Sequence, residues 1–406
     1  MHILYVTTEF ITDHMNAGGL ANYLANMSNI FKEHGHKVTV LVVAAIDKRC
    51  FWNSIEVIYY NASRSLEWLA TQDKLKAFYL LRSIYINRKI QAINRKNKID
   101  IVQLCANGVI AYNIKISIPW IIRLSSFPGL CEIAEKEKKS FKIEQALNRI
   151  DERSKIQLES IQACPFIISP SNLCKELVEK NLKRRVYVIE SPYCDYNEKT
   201  DECIYNQKLY GKKYFLYFGH LCRLKGIHTL ANSAECLLEK YPEHNLVLVG
   251  INSKIEDYKN IRIDADKYVK KKAGKYKDRV IYIKGIPKSQ LVPIIKNAEM
   301  CIFPSRIDNL PNACIEALGL GKAVVGTRRA SYDQLIVDGM NGFLCEIDSP
   351  ITLMQCIDRY MELDEYSKSL IHANARKRVN LMLPDKIYEK YLRTYKIQIQ
   401  KQKIIN

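Results

Sequence analysis

Between residues 300 and 326 the chain reads as strand, loop, helix, strand, and that order commits it to a parallel α/β sheet. Met300-Cys301-Ile302-Phe303 is an unbroken apolar run of strand length, the pattern of a short buried strand. The loop from Ser305 to Leu310 follows. Pro311 stands where a first-turn proline belongs, because that position has no amide partner to lose. A helix carries Glu316 and Leu318, Gly319 to Gly321 stops it, and Ala323-Val324-Val325-Gly326 reads as the next strand. In such sheets the loops at the carboxyl ends of strands line the ligand crevice. One acid, Asp308, falls in the loop and another, Glu316, in the helix. Two carboxylates beside helix-start amides suit a ligand rich in hydroxyls with an anionic centre, such as a nucleotide sugar. The same pattern also fits an ordinary helix with one buried Glu and an Asp favoured by the helix dipole.

The alternation of strand and helix recurs on both sides of this stretch. Ile3 to Thr7 is a first strand, followed by a loop with Glu9, His14 and Asn16, then Gly18-Gly19. Leu20 to His34 is helical by its apolar spacing, and Lys37 to Val43 is the next strand. Strand, glycine pair, helix, strand is an arrangement that can cradle a phosphate; it is equally an ordinary turn. Ile55 to Tyr60, Asp100 to Leu104 and Trp120 to Leu124 read as further strands, and Pro165 to Ser171 as a strand ending in a helix cap. Residues 64 to 98 read as one helix rich in basic and aromatic residues, including Trp68, Tyr85, Arg88, Lys89 and Arg95. Such a helix either lies on an anionic membrane or is a surface helix with its apolar stripe in the core.

A polar, aperiodic stretch from 194 to 212 marks a linker. The alternation then restarts with a strand from Tyr214 to Phe218 and the loop Gly219-His220-Leu221-Cys222-Arg223-Leu224-Lys225-Gly226. A helix from Ile227, strands at Leu246 to Val249 and Val280 to Ile283, and a helix from Lys288 to Asn297 lead back to the opening stretch. Residues 365 to 380 and 384 to 403 read as charged helices.

The spacing of Asp308 and Glu316, with Gly-Lys-Ala-Val-Val-Gly-Thr at 321 to 327, resembles the nucleotide-binding motif of family 4 glycosyltransferases of the GT-B type. The resemblance is strong from Tyr214 to Leu344 and weak from Ser54 to Lys98. It implies two Rossmann-like domains facing each other across a cleft. The expected boundaries are an acceptor-binding domain over 1–195, a linker over 196–212, a nucleotide-sugar-binding domain over 213–380, and a C-terminal helix over 381–406 that crosses back to the first domain. It further implies a retaining, metal-independent glycosyltransferase with no cofactor beyond the nucleotide-sugar donor, acting on a glycan or lipid-linked acceptor in surface polysaccharide biosynthesis. By this resemblance Glu316 holds the ribose, Asp308 the transferred sugar with the amides around Asn309 and Leu310, and Gly285 lies against the nucleobase. Gly18 and Gly19 sit beside the donor phosphates and the acceptor.

Glycosyl transfer leaves negative charge on a departing diphosphate, which basic side chains and helix-start amides can neutralise. Lys225 matches the family's loop lysine. His220 stands where the family has Arg, and Ser125 where a His is frequent. Histidine is only partly charged near pH 7, so either Arg223 compensates, or transfer is weaker or requires a protonated His220. The alternative to an active transferase is a nucleotide-sugar-binding protein with weak or lost catalysis. Asp264-Ala265-Asp266 has the form of a metal-binding Asp-x-Asp without the context that such a motif requires.

Composition narrows the setting. The chain has 406 residues, a net charge of +19 and 13 cysteines with no Cys-x-x-Cys pair. The scattered, odd cysteine count argues for a reducing compartment. The start reads directly into a strand, and no apolar run approaches the ~20 residues of a membrane span. The expectation is a cytoplasmic protein, with peripheral contact to an anionic membrane face allowed by its charge. Nucleic acid is not expected as a partner, since the Lys and Arg residues are dispersed and no nucleic-acid module is present.

Overall fold

The computed structural model describes residues 1–11, 18–125, 128–138, 141–147, 151–194, 200–256 and 261–405. His14 and Asn16 lie outside the described residues, as do 126–127 of the loop after the strand that ends near Leu124. Two compact units emerge. One comprises Met1–Leu130, Asn148–Pro192 and Met382–Asn406; the other comprises Cys131–Leu147 and Tyr193–Leu381.

The strands of the first unit are β1 (His2–Thr7), β2 (Lys37–Val43), β3 (Lys48–Trp52), β4 (Ile55–Tyr60), β5 (Ile101–Cys105), β6 (Trp120–Arg123), β7 (Ile167–Ser169) and β8 (Val186–Val188). They form one sheet in the order β3-β4-β2-β1-β5-β6-β7-β8. All pairs are parallel except β3 with β4. β1 is buried along its whole length, as expected for a central parallel strand covered on both faces. The edge strand β3 escaped sequence reading because its residues alternate poorly and are largely exposed.

In the second unit the strands are β9 (Lys213–Phe218), β10 (His244–Gly250), β11 (Lys254–Glu256), β12 (Arg262–Asp264), β13 (Val280–Lys284), β14 (Met300–Phe303), β15 (Val324–Thr327) and β16 (Phe343–Cys345). The main sheet runs β13-β10-β9-β14-β15-β16, and β11 pairs with β12 in a separate hairpin. In both main sheets the strand order thus reverses once, between β1 and β5 in the first unit and between β9 and β14 in the second. Open α/β sheets bind ligands outside the carboxyl ends of strands at such switch points.

Several boundaries move. Residues 64 to 98 do not form one helix: turns of 3-10 helix at Glu67–Leu69 and Gln72–Lys74 precede the helix Leu75–Lys96. Ser65 has a φ of 63°, a left-handed conformation that a continuous right-handed helix cannot contain. Phe78, Tyr79, Ile86, Ile90 and Ile93 are the buried stripe of the main helix. The linker contains the short helix Cys203–Lys208, preceded by Asp201, which accepts from Gln290 Nε2 at 2.7 Å.

Residues 131–147, read as part of the first domain, pack instead with the second unit. The cause is a buried polar cluster. Arg306, 1% exposed, donates from Nη1 to the Ala134 carbonyl at 2.8 Å and to that of Glu137. Its Nε donates to Asp348 Oδ1 at 2.8 Å, and Asp348 Oδ2 accepts from the Phe141 amide at 2.9 Å. The C-terminal helix Pro384–Ile405 packs within the first unit. There Tyr23 donates to the Tyr391 hydroxyl at 2.9 Å and Tyr395 donates to Gln103 Oε1 at 2.7 Å. Among the described residues, no helix is long and apolar enough to cross a membrane.

Candidate functional site

The loop from Gly219 to Gly226 and the loop from Pro304 to Pro311 leave the adjacent strands β9 and β14, at the switch point of the second unit. Glycine makes their close approach feasible. Gly226 has a φ of 74°, and a Cβ there would fall 1.7 Å from the Pro304 carbonyl oxygen. Gly250, at the end of β10, has a φ of 144°, and its Cβ would meet the Gly219 carbonyl oxygen at 1.8 Å. No side chain fits either place without moving backbone. The two loops are then joined by the Arg306 amide donating to the Leu224 carbonyl at 2.9 Å.

This contact delivers Lys225 to Asp308, and the ammonium and carboxylate form an ion pair. Their side chains are 31% and 15% exposed, respectively. Burial works against the Lys225 charge, but the charge and hydrogen bond of Asp308 outweigh it and hold the ammonium above its ordinary range. Asp308 is braced in turn: its Oδ1 accepts from the Asn309 amide at 2.9 Å and its carbonyl accepts from Ser331 Oγ at 2.8 Å. The Asn309 amide therefore serves Asp308 in this state. Leu310 is buried. The helix Asn312–Gly319 begins with Pro311 as its capping residue, one place earlier than the first-turn position read from sequence. Within that helix Glu316 pairs with Lys288 at 3.2 Å and is 18% exposed. Lys288 opens the helix Lys288–Asn297, three residues after Gly285. Gly285 lies against Gly250 and Ile251 with room for an ordinary contact.

The remaining loop residues face elsewhere. His220 Nε2 and Ser253 Oγ are 2.5 Å apart. Burial, the largest influence, and the Lys225 charge lower the His220 pKa against the opposing pull of Glu135. Together these favour the neutral imidazole. Arg223 donates from Nη2 to the Glu256 carbonyl at 2.9 Å, which draws its guanidinium toward the β11–β12 hairpin. Asp264 stands just before the helix Ala265–Lys272 and pairs with Lys267 at 2.9 Å, while Asp266 accepts from Asn252 Nδ2 at 2.6 Å. The two carboxylates of this Asp-x-Asp thus serve separate partners, and among the described residues no group of acids, His and Cys could hold a metal ion.

Sequence reading missed Glu135. Its Oε1 accepts from the Arg223 amide at 3.3 Å and its Oε2 from the Leu224 amide. A carboxylate of the protein itself thus occupies two successive amides of the phosphate-type loop, a geometry that selects anions. No periodicity marks Glu135, because its helix lies in a stretch of mixed charges. Arg306 and Tyr332 were also unread. Tyr332 pairs with the Ser305 hydroxyl at 3.0 Å and packs where a Cβ on Gly326 would come within 2.4 Å of its ring.

In the first unit, Gly18 caps the helix Gly19–Glu33 without a side chain of its own. Glu9 substitutes: its Oε1 accepts from the Ala21 amide at 3.2 Å. A carboxylate at a helix start is favoured by the free amides and the dipole.

Residues 201–378 match the family model described as glycosyl transferases group 1. Over this stretch the chain is similar to that family. An uncharacterized glycosyltransferase of Methanocaldococcus jannaschii is 25% identical over 207 residues, which cover 50% of this chain and 52% of that protein. The chain thus spans about half the length of this curated relative. The fold extends further than sequence identity. Sucrose-phosphate synthase from Thermosynechococcus elongatus superposes with a TM-score of 0.76 at 17% identity, covering 99% of this chain and 100% of its own. Anabaena HepE, solved in complex with UDP, gives a TM-score of 0.66 at 16% identity, covering 97% of this chain and 99% of its own. The chain therefore has the GT-B fold with two Rossmann-like domains. The pairs Lys225–Asp308 and Lys288–Glu316 fall within the matched stretch.

Proposed function

We propose that the protein is a retaining, metal-independent glycosyltransferase that takes its sugar from a nucleotide-sugar donor. The observation that carries this reading is the pairing of Lys225 with Asp308 on the two loops of one sheet switch point, with Glu316, on the helix after the second loop, paired to Lys288. The Lys225 ammonium, held charged, neutralises the developing charge on the departing diphosphate. Donor binding draws Lys225 from Asp308 toward the phosphates, which frees the carboxylate to accept from hydroxyls of the transferred sugar. Glu316 accepts from the ribose hydroxyls, the amides at Asn309 and Leu310 assist at the sugar, and Gly285 leaves space for the base. The departing phosphate takes the acceptor's proton, so transfer proceeds on one face of the sugar.

The first unit supplies the acceptor site, with the helix start at Gly18 and Gly19 as its anion-facing part. The acceptor is a glycan or lipid-linked sugar of surface polysaccharide assembly, reached from the cytoplasmic side of a membrane. The helix Leu75–Lys96 supports the membrane contact: Leu80, Leu81 and Ile84 are exposed at 44%, 38% and 38%, on a helix that also carries Arg88 and Lys89. A second reading, a nucleotide-sugar-binding protein with weak catalysis, is favoured by the lowered His220 pKa and by Arg223 facing the hairpin. Donor turnover over a broad acceptor panel, with and without EDTA, decides between them. Transfer that survives EDTA supports the first reading. Donor binding without hydrolysis or transfer supports the second. Loss of transfer on chelation removes the metal-independent step.

A further inference from the structure

The second unit holds another cation-lined space. A cavity of about 480 Å³ lies between the segment after Cys131, the Gly219–Gly226 loop and the β11–β12 hairpin. Among the described residues, Lys136, Lys138, Arg223, Lys254 and Arg262 line it, with Glu135, Glu256 and one apolar residue. Five cations against two carboxylates give the lining a formal charge of +3.

Both carboxylates are already engaged. Glu135 accepts from the amides of Arg223 and Leu224, and Glu256 pairs with Lys138 at 2.8 Å and Arg262 at 3.6 Å. Arg223 is fixed at the wall through the Glu256 carbonyl. A nucleobase or acyl chain needs apolar or aromatic walls, and among the described residues the lining has one apolar and no aromatic side chain. A guanidinium with several ammonium groups matches the oxygens of a phosphoryl group. The volume falls in the range of small-ligand sites. The capture of the Glu135 carboxylate by the adjoining amides shows the same preference for negative charge.

We propose that this cavity binds the phosphoryl group of a phosphate ester, at a site separate from the Lys225–Asp308 pair. The phosphoryl group belongs either to a phosphorylated acceptor or to a free phosphate ester that binds independently of transfer.

The test is calorimetric titration of the full chain with inorganic phosphate and pyrophosphate. Binding should persist in Lys225→Ala and weaken at least about tenfold in the double variant Lys254→Ala/Arg262→Ala, which removes two charge-assisted contacts. Both substitutions are on exposed side chains, and an unchanged melting temperature confirms that the fold is kept. Equal affinity in the double variant and the native chain overturns the proposal. So does the absence of millimolar-range binding by the native chain, or its loss in Lys225→Ala. Transfer assays then assign the source. A raised KM for a phosphorylated acceptor with an unchanged donor KM identifies the acceptor. Lost phosphate binding with both KM values unchanged identifies a free ester. Only these last assays rest on the transferase reading: a chain that transfers no sugar, yet loses phosphate binding in the double variant, upholds the cavity and refutes that reading alone.

Discussion

The two units build the same local architecture at their switch points and equip it with different charges. In the first, β1 leads through Gly18 to a helix start whose amide at Ala21 is taken by Glu9. In the second, β9 leads through the Gly219–Gly226 loop, whose amides at Arg223 and Leu224 are taken by Glu135, but here Lys225 adds a cation braced by Asp308. Helix-start amides alone suit any anion, including the protein's own carboxylates. The difference teaches that topology locates a crevice, while the adjacent side-chain charge decides what it can stabilise.

The sharpest way to break this comparison is at the glycines. Gly226→Ala forces a Cβ into the Pro304 carbonyl at a positive φ, so a loss of more than about 3 kcal/mol is expected, as for incompatible backbone changes. Gly18→Ala meets only the movable Glu9 side chain at 2.9 Å and should cost under about 1 kcal/mol. Denaturant unfolding of both variants checks the contrast; equal losses would remove it.

Next in size is Lys225→Ala, expected to lower kcat/KM for donor turnover by about 100-fold, the scale for one group stabilising departing charge. A drop below fivefold would leave the second unit no more specialised than the first.

A third test concerns the cluster that holds residues 131–147. Burial disfavours the Asp348 charge, but hydrogen bonds and charge from His228 and Arg306 overcome it and hold its pKa at about 2, below the ordinary 3.8. A lowered carboxylate pKa gives stability that is fully present above about pH 4 and lost as pH falls through 2, here about 2 kcal/mol. Burial lowers the His228 pKa below 6.5, so protonation there also favours unfolding as pH falls. Acid unfolding of Asp348→Asn should show a shallower loss between pH 4 and 2 than the native chain. Parallel curves would contradict this role.

The smallest effect is expected from the internal carboxylates. Removing the charge in Glu135→Gln should tighten pyrophosphate binding about threefold, a modest relief at a partly exposed site. Glu9→Gln should change it less, since among the described residues no Lys225 counterpart stands beside it. A greater gain from Glu9→Gln would reverse the comparison.

The fold was largely readable in the chain because its strands are short apolar runs separated by glycine and helical periodicity. The element Lys288–Asn297 was bounded to the residue, and the acids Asp308 and Glu316 declared themselves by their place after a buried strand. What could not be read depends on contacts distant in sequence. Residues 131–147 join the second unit because Arg306 and Asp348 bond to their backbone, and carbonyls carry no sequence signal. Arg223 looked equivalent to its neighbours in the loop, yet its direction is set by the Glu256 carbonyl on a hairpin that lacks clear alternation. Glu135 was one acid among many in a charged helix.

The most direct test of the central claim is calorimetric titration of a nucleotide-sugar panel into the native chain, Lys225→Ala and Glu316→Ala. The account predicts saturable binding of at least one nucleotide sugar, weakened about tenfold or more by each substitution. The same affinity in all three proteins would place the donor elsewhere and contradict it.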